Sequence, residues 1–390
     1  MDLGNIYQPL PHPQRSLRLL SIIPGWPDEP IHVGLVTIQD ITDAPAYIAL
    51  SYVWGLTLAA DPIFCNGVSK HVTRSLGDAL RALRPLPTAD TETAHNHGVD
   101  ILTVDDVCHS SRHIWRNIAW NKWERPLEYH SETFFIWIDA LCINQDDIKE
   151  RSNQVKAMRE IYQKAKSVRI WFGTELVYPA EEASYELVSS SRLDRLLGRI
   201  SLTVHGDMPI VFSFIAQAFH NSKQRSRSFD ESLPGFPPAY APEWKILRRF
   251  FQHPWFYRVW TVQEIAMAQD AVLVVGDWEI DWKSLSIALG YLYSTYHRYS
   301  LVWKSKVIGI FDSSWTAIPL DAAIYMCRIK SEVNERPLLM GLLGLGRNRG
   351  ATQPVDYVFA VLNLSADWRT VDSGITEKPY IEPDYTKSVA

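Results

Sequence analysis

Apolar positions in this chain alternate between short unbroken runs and helical stripes, and that alternation predicts the architecture. Phe134-Phe-Ile-Trp-Ile138 is an unbroken run of β-branched and aromatic residues, the pattern of a strand buried on both faces. It leads directly into a polar cluster, Asp139, Asn144, Gln145, Asp146 and Asp147. Tyr47 to Tyr52, ended by Gly55, reads as the first core strand, Arg169 to Phe172, stopped by Gly173, as another, and Ala271 to Val275 as a fourth. Between the second and third lies Glu150 to Lys166, where Val155, Met158, Tyr162 and Ala165 share one face while Lys156, Arg159 and Glu160 point away. A strand, an amphipathic helix and a strand in that order predict a parallel, right-handed crossover.

Elsewhere the pattern is less regular. Residues 1–30 are Pro-rich, with Arg15 to Leu20 reading as a short strand on a sheet edge and Ile31 to Ile38 as another. Ser75 to Leu83 reads as a helix with Ser75 as N-cap, and Glu243 to Phe251 as a second. Pro254 restarts the chain, and Trp255 to Met267 reads as one further helix. Residues 85–132 and 174–242 are insertions, the latter ending in the Ser/Pro/Gly-rich stretch Ser226 to Pro242. Gly276-Asp277 and Trp282 open a last, mainly helical portion. The expected organisation is a strand-rich lead-in over 1–45, an α/β domain over 46–282 and a helical extension over 283–390, with no internal repeat and no heptad pattern. The Gly341 to Gly346 run has no Gly-Lys-Ser/Thr and no strand leading into it, so it reads as a helix end rather than a phosphate loop.

Composition narrows the function classes. Charged residues at 21% and apolar residues at 46% suit a globular chain with a large core. A formal charge of −5 supplies no basic footprint for nucleic acid, and the short run Lys223 to Arg227 reads as a solvated loop. Cys65, Cys108, Cys142 and Cys327 are widely spaced and form no CxxC pair, which argues against a zinc ribbon or a secreted disulfide framework. His109 and His113 have i,i+4 spacing, but no regular ligand framework accompanies them, so no metal site is expected. There is no apolar leader pattern and no stretch of eighteen uncharged apolar residues, so a cytoplasmic protein without a membrane segment is expected. Many of the 15 tryptophans follow no helical stripe, and they read as structural aromatics of a broad core.

Three segments together are specific: Tyr47-Ile-Ala-Leu-Ser-Tyr-Val-Trp-Gly55, Trp137-Ile-Asp-Ala-Leu-Cys-Ile-Asn-Gln145 with its following helix, and Arg258-Val-Trp-Thr-Val-Gln-Glu264. In this order they resemble the fungal heterokaryon-incompatibility (HET) domain, over residues 46–282. Arg347 to Leu364 and Ile381 to Ser388 resemble the segment that follows the domain in larger members, and the chain ends soon after, as a short member or a piece of a longer one would. The resemblance implies a death-inducing effector of non-self recognition, with self-association and a sensor or regulatory protein as partner. It also implies a distant similarity to the Toll/interleukin-receptor (TIR) fold, hence a flavodoxin-like parallel sheet flanked by helices.

TIR proteins that cleave NAD carry a helical glutamate in a Trp-containing pattern, which Trp260-Thr-Val-Gln-Glu264 matches. Glu264 is therefore the expected catalytic residue, NAD the implied substrate, and no cofactor is implied. Ser51, Tyr52, Trp54 and Gly55 follow one strand, and Asp139, Asn144 and Gln145 another, so they are expected to line one crevice at the carboxyl edge of the sheet. Structural roles stand beside these. Trp54 and Gly55 also suit a packed turn, Asp139 a cap or an ion pair with Arg151 or Arg258, and Asn144 and Gln145 the satisfaction of loop backbone. Glu264 suits a pair with Arg258, although i,i+6 spacing is poor for helical contact. Cys142 has no histidine near it in sequence and reads as a buried thiol, not a nucleophile. A non-catalytic, self-associating module of the same pathway is the alternative function. A carboxylate-pair glycosidase would explain the tryptophans but predicts a secreted chain without these motifs.

Overall fold

The computed structural model describes residues 6–85, 135–174, 208–223, 235–237, 243–276, 278–306, 320–335, 337–346, 349–365 and 383–386. The described strands, β1 (Leu17–Ile22), β2 (His32–Ile38), β3 (Tyr47–Tyr52), β4 (Ile63–Cys65), β5 (Val68–Lys70), β6 (Phe135–Trp137), β7 (Ser167–Gly173), β8 (Ala271–Val275) and β9 (Trp278–Asp281), form one sheet. Its order is β5-β4-β2-β1-β6-β3-β7-β8-β9. The four central strands β6, β3, β7 and β8 are mutually parallel. Numbered among themselves they run second-first-third-fourth, the flavodoxin-like order, whose direction of growth reverses between the first and third. Here that switch point lies between β3 and β7.

Helices flank the sheet and supply the crossovers: α1 (Arg74–Leu83), the single turn α2 (Asp139–Cys142), α3 (Ile148–Lys164), α4 (Met208–Lys223), α5 (Glu243–Phe251) and α6 (Trp260–Met267). After β9 come α7 (Trp282–Lys306), α8 (Asp321–Glu332), α9 (Leu339–Gly346) and α10 (Asp356–Leu362). Both α8 and α10 pack against α6, and all of these elements contribute to one hydrophobic core. β3 is buried along its whole length, as its unbroken apolar run requires. α3 starts at Asp147, whose carboxylate accepts from the amides of Lys149 and Glu150. The end of β7 is held by aromatic packing, with Phe172 stacked on His253 at 3.9 Å and edge-on to Phe256.

Several expectations are corrected. β1 is an interior strand, paired antiparallel to both β2 and β6, because its residues are almost all buried; the sheet edges are the short β5 and β9 instead. The β4–β5 hairpin was absent from the sequence reading although Asn66-Gly67 carries its signal, and both residues adopt the positive φ (50° and 81°) that a tight hairpin turn requires. β9, not expected as a strand, lies between Gly276 and Trp282, and Trp282 opens α7 as expected. Trp255 to Met267 is not continuous helix: a 3₁₀ turn, Pro254–Tyr257, ends at Arg258, whose extended backbone (φ −79°, ψ 139°) precedes α6. The N-cap of α1 is Thr73, not Ser75.

Candidate functional site

The carboxyl edge of the parallel strands carries a compact polar cluster built from all three sequence motifs. Ser51, near the end of β3, has its side chain buried beneath α6. The Trp255 indole donates to Ser51 Oγ at 2.7 Å, and an indole N–H is a donor only. Ser51 therefore accepts from Trp255 and donates its own proton to Glu264 Oε2, with which it forms a short contact. Glu264 is only 6% exposed. Burial pushes its carboxyl up to about 7, the Ser51 bond opposes the shift, the nearby Asp139 adds to it and Arg258 opposes it.

Asp139 opens α2, directly after β6. Its Oδ1 accepts from the Ala140 amide at 2.7 Å and its Oδ2 from the Trp54 indole at 3.0 Å. Its carboxyl is likewise raised by burial, against the pull of Arg258 and the Trp54 bond. Arg258 donates to the carbonyl of Tyr52 at 2.7 Å, so its charge sits at the end of β3 within electrostatic reach of both carboxyl groups. The Tyr52 hydroxyl is buried without a hydrogen-bond partner among the described residues, and burial followed by Asp139 raises its pKa well above the usual phenol value.

The remaining expected residues divide. Gln145 Nε2 donates to the Asp139 carbonyl at 2.9 Å and so braces the cluster. Asn144 points into its own turn, its side chain accepting from the Asp146 amide at 3.3 Å and its amide donating to Glu150 at 2.7 Å. Gly55 is exposed at φ +71°, with open space where a Cβ would stand. Arg151, weighed as a partner of Asp139, lies over the Tyr385 ring at 4.5 Å. Cys142 is fully buried and its thiol is pushed up to about 12, as an inert thiol should be. Among the described residues no group of three or more His, Cys, Asp or Glu could hold a metal ion, and none of their helices is long and apolar enough to cross a membrane. His95, His97, Cys108, His109 and His113 lie outside the described residues.

Three supports were missed in the sequence. Trp255, the donor that orients Ser51, was read only as part of a helix. Arg18 in β1 forms a bidentate pair with Glu150 (2.5 and 2.9 Å) and also donates to the Cys142 carbonyl at 3.1 Å. A lone arginine inside the apolar strand Leu17–Ile22 was the available signal, since a buried charge demands a partner. Arg349 donates to the Phe256 carbonyl and, at 2.8 Å, to that of Ala322, while Gly350 bridges the backbone beside Arg258.

The fold and the site define an α/β protein with a buried carboxyl cluster at the carboxyl edge of its sheet, and comparisons with known proteins bear on the same motifs. Residues 125–264 match the family described as Heterokaryon incompatibility protein (HET), a span that contains the second and third motifs and ends at Glu264. The chain is also 26% identical over 307 residues to the Neurospora crassa protein named "Heterokaryon incompatibility protein 6, OR allele". That alignment covers 73% of this chain and 37% of the relative, so the chain spans little more than a third of the relative's length. No solved structure matches the chain.

Proposed function

We propose that this protein is a heterokaryon-incompatibility effector that triggers cell death in non-self recognition, and that its chemical act is cleavage of the nicotinamide–ribose bond of NAD at Glu264. The carrying observation is a buried carboxyl oriented by Ser51 and Trp255 beside the switch point of a flavodoxin-like sheet, where open α/β sheets take their ligands. The same strand order is the one a TIR-like domain requires.

The chemistry asks little of the protein. The C1′–N bond breaks with its electron pair leaving on nicotinamide, which departs neutral from a cationic pyridinium, so no general acid is needed. Water then adds to C1′ and releases one proton, leaving ADP-ribose. Glu264 holds the ribose hydroxyls and stabilises the oxocarbenium-like transition state by its charge. Its raised pKa, about 7, fits this role, because an approaching pyridinium cation favours the ionised form. Trp54, tethered to Asp139 and only partly buried, offers an aromatic surface beside the cluster, and Gly55 lets a ligand approach the backbone.

A second reading rests on a different observation: the Glu264 carboxyl is nearly closed off and its bond with Ser51 is internal, as in a purely architectural role within a self-associating module. Nicotinamide release from NAD by the concentrated or crowded protein, with Glu264→Gln beside it, separates the two. Catalysis predicts turnover by the parent and a loss of about 10²–10⁴ in rate by a variant whose circular dichroism is unchanged. No turnover by the parent under assembling conditions leaves the architectural module as the function.

A further inference from the structure

Beside the carboxyl cluster, an open cleft of about 350 Å³ runs between the 3₁₀ turn, the start of α6 and the C-terminal segment. One wall is Tyr257, Arg258 and Trp260; the other is Gly350, Ala351 and Thr352, more than eighty residues further along the chain. The two walls are joined by backbone bonds, Gly350 N to Tyr257 O at 2.6 Å and Val259 N to Gly350 O at 3.1 Å, so the cleft is a built feature of the fold.

Arg258 belongs to both sites. It lies within electrostatic reach of Asp139 and Glu264, yet it lines the cleft and is only partly buried. A guanidinium has five N–H donors, and among the described residues one bond, to the Tyr52 carbonyl, is made. The electrostatic layout is thus polar: two carboxyl groups on the inner side, an arginine with donors to spare on the outer. A ligand that matches it carries positive charge at one end and an anionic, multi-acceptor group next to it.

We propose that this cleft is the subsite for the anionic diphosphate of a nucleotide, Arg258 binding the phosphates while Tyr257 and Trp260 offer aromatic surface to the base. The inference rests on the reading of Glu264 as the residue acting on a pyridinium dinucleotide, and it adds the polarity with which that ligand lies: pyridinium riboside toward Asp139 and Glu264, diphosphate toward Arg258. The cleft is at the small end of the roughly 300–1,000 Å³ spanned by small-ligand sites, which suits half of a dinucleotide. Arginine is suited to phosphate because its planar fork bonds two oxygens at once. Because one wall comes from Gly350–Thr352, the segment after the HET-matched span completes the site.

The test is calorimetric titration of ADP, which has no nicotinamide–ribose bond to cleave, against the whole chain, with adenosine as the probe lacking phosphate. ADP is expected to bind, and adenosine at least tenfold more weakly. Arg258→Gln, whose amide still has a donor for the Tyr52 carbonyl, is expected to weaken ADP binding about tenfold to a hundredfold. Thr352→Trp, at an exposed position, fills the cleft without touching a buried bond and should do the same. Failure of the parent to bind ADP, or undiminished binding by both cleft variants, overturns the proposal even if NAD is cleaved. ADP binding that depends on Arg258, in a protein that does not cleave NAD, upholds the subsite and removes only the catalytic reading.

Discussion

Glu264 combines deep burial with a hydrogen bond that favours its ionised form, and at this carboxyl burial prevails. The consequence for stability has a definite sign. Below about pH 4.5 the carboxyl is protonated in folded and unfolded chains alike and costs nothing. Between about 4.5 and 7 the unfolded chain releases the proton while the folded one retains it, so stability falls as pH rises and levels off above about 7. The total is of the order of 3 kcal/mol. Glu264→Gln removes this dependence: its urea midpoint should equal the parent's near pH 4.5 and exceed it progressively toward pH 8. Parallel pH profiles for the two proteins would rule out the shifted carboxyl. Glu264 itself was legible from Trp260 to Glu264 as a motif. Its partners were not, because Ser51 and Trp255 lie 213 and 9 residues away in sequence and no spacing rule links them.

At the scale of elements, the loop after α2 is clamped between β1 and α3. Arg18 of β1 grips both oxygens of Glu150, and Glu150 Oε1 in turn accepts from the Asn144 amide. Both side chains are below 10% exposure, so removing one strands the other's charge in the core. Arg18→Met should cost about 3–5 kcal/mol in urea unfolding, and Arg18→Met with Glu150→Leu should recover most of it. A single variant within 1 kcal/mol of the parent would show that the pair is not buried in solution. The elements themselves were largely readable. Tyr47–Tyr52, Glu243–Phe251 and Ala271–Val275 occur with the expected bounds, since unbroken apolar runs and wide amphipathic stripes carry strong signals. β4, β5 and β9 span only three or four residues, too few alternations to stand out from loop.

Across the whole molecule, the C-terminal segment is tied into the site rather than appended to it. Arg349 donates to the carbonyls of Phe256 and Ala322 and lies over the Tyr325 ring at 4.8 Å, joining the 3₁₀ turn to α8. Asp356, at the start of α10, accepts from the Tyr385 hydroxyl at 2.7 Å, which brings the last described residues back to α3 through the 3.1 Å bond between the Tyr385 amide and Ser152. Arg349→Met leaves the carbonyls of Phe256, Arg258 and Ala322 without their charged donor and should cost about 1.5–3 kcal/mol. Hydrogen exchange gives the sharper check: the Val259 and Gly350 amides should lose protection in that variant while β3 amides keep theirs. Equal loss everywhere would mean that Arg349 supports the fold at large and not this junction.

By itself the sequence determined the α/β class, the core strands and main helices, and the three motifs that resemble the HET family, the last of which ends at Glu264. Those properties follow from local periodicity and from motifs that are contiguous in the chain. Only the tertiary structure decided the strand order, the interior place of β1, the Trp255–Ser51–Glu264 arrangement and the cleft wall formed by Gly350–Thr352. Each of these joins residues far apart in the chain, and their pairing depends on which buried surfaces and unsatisfied polar groups find one another on folding, which no local pattern encodes.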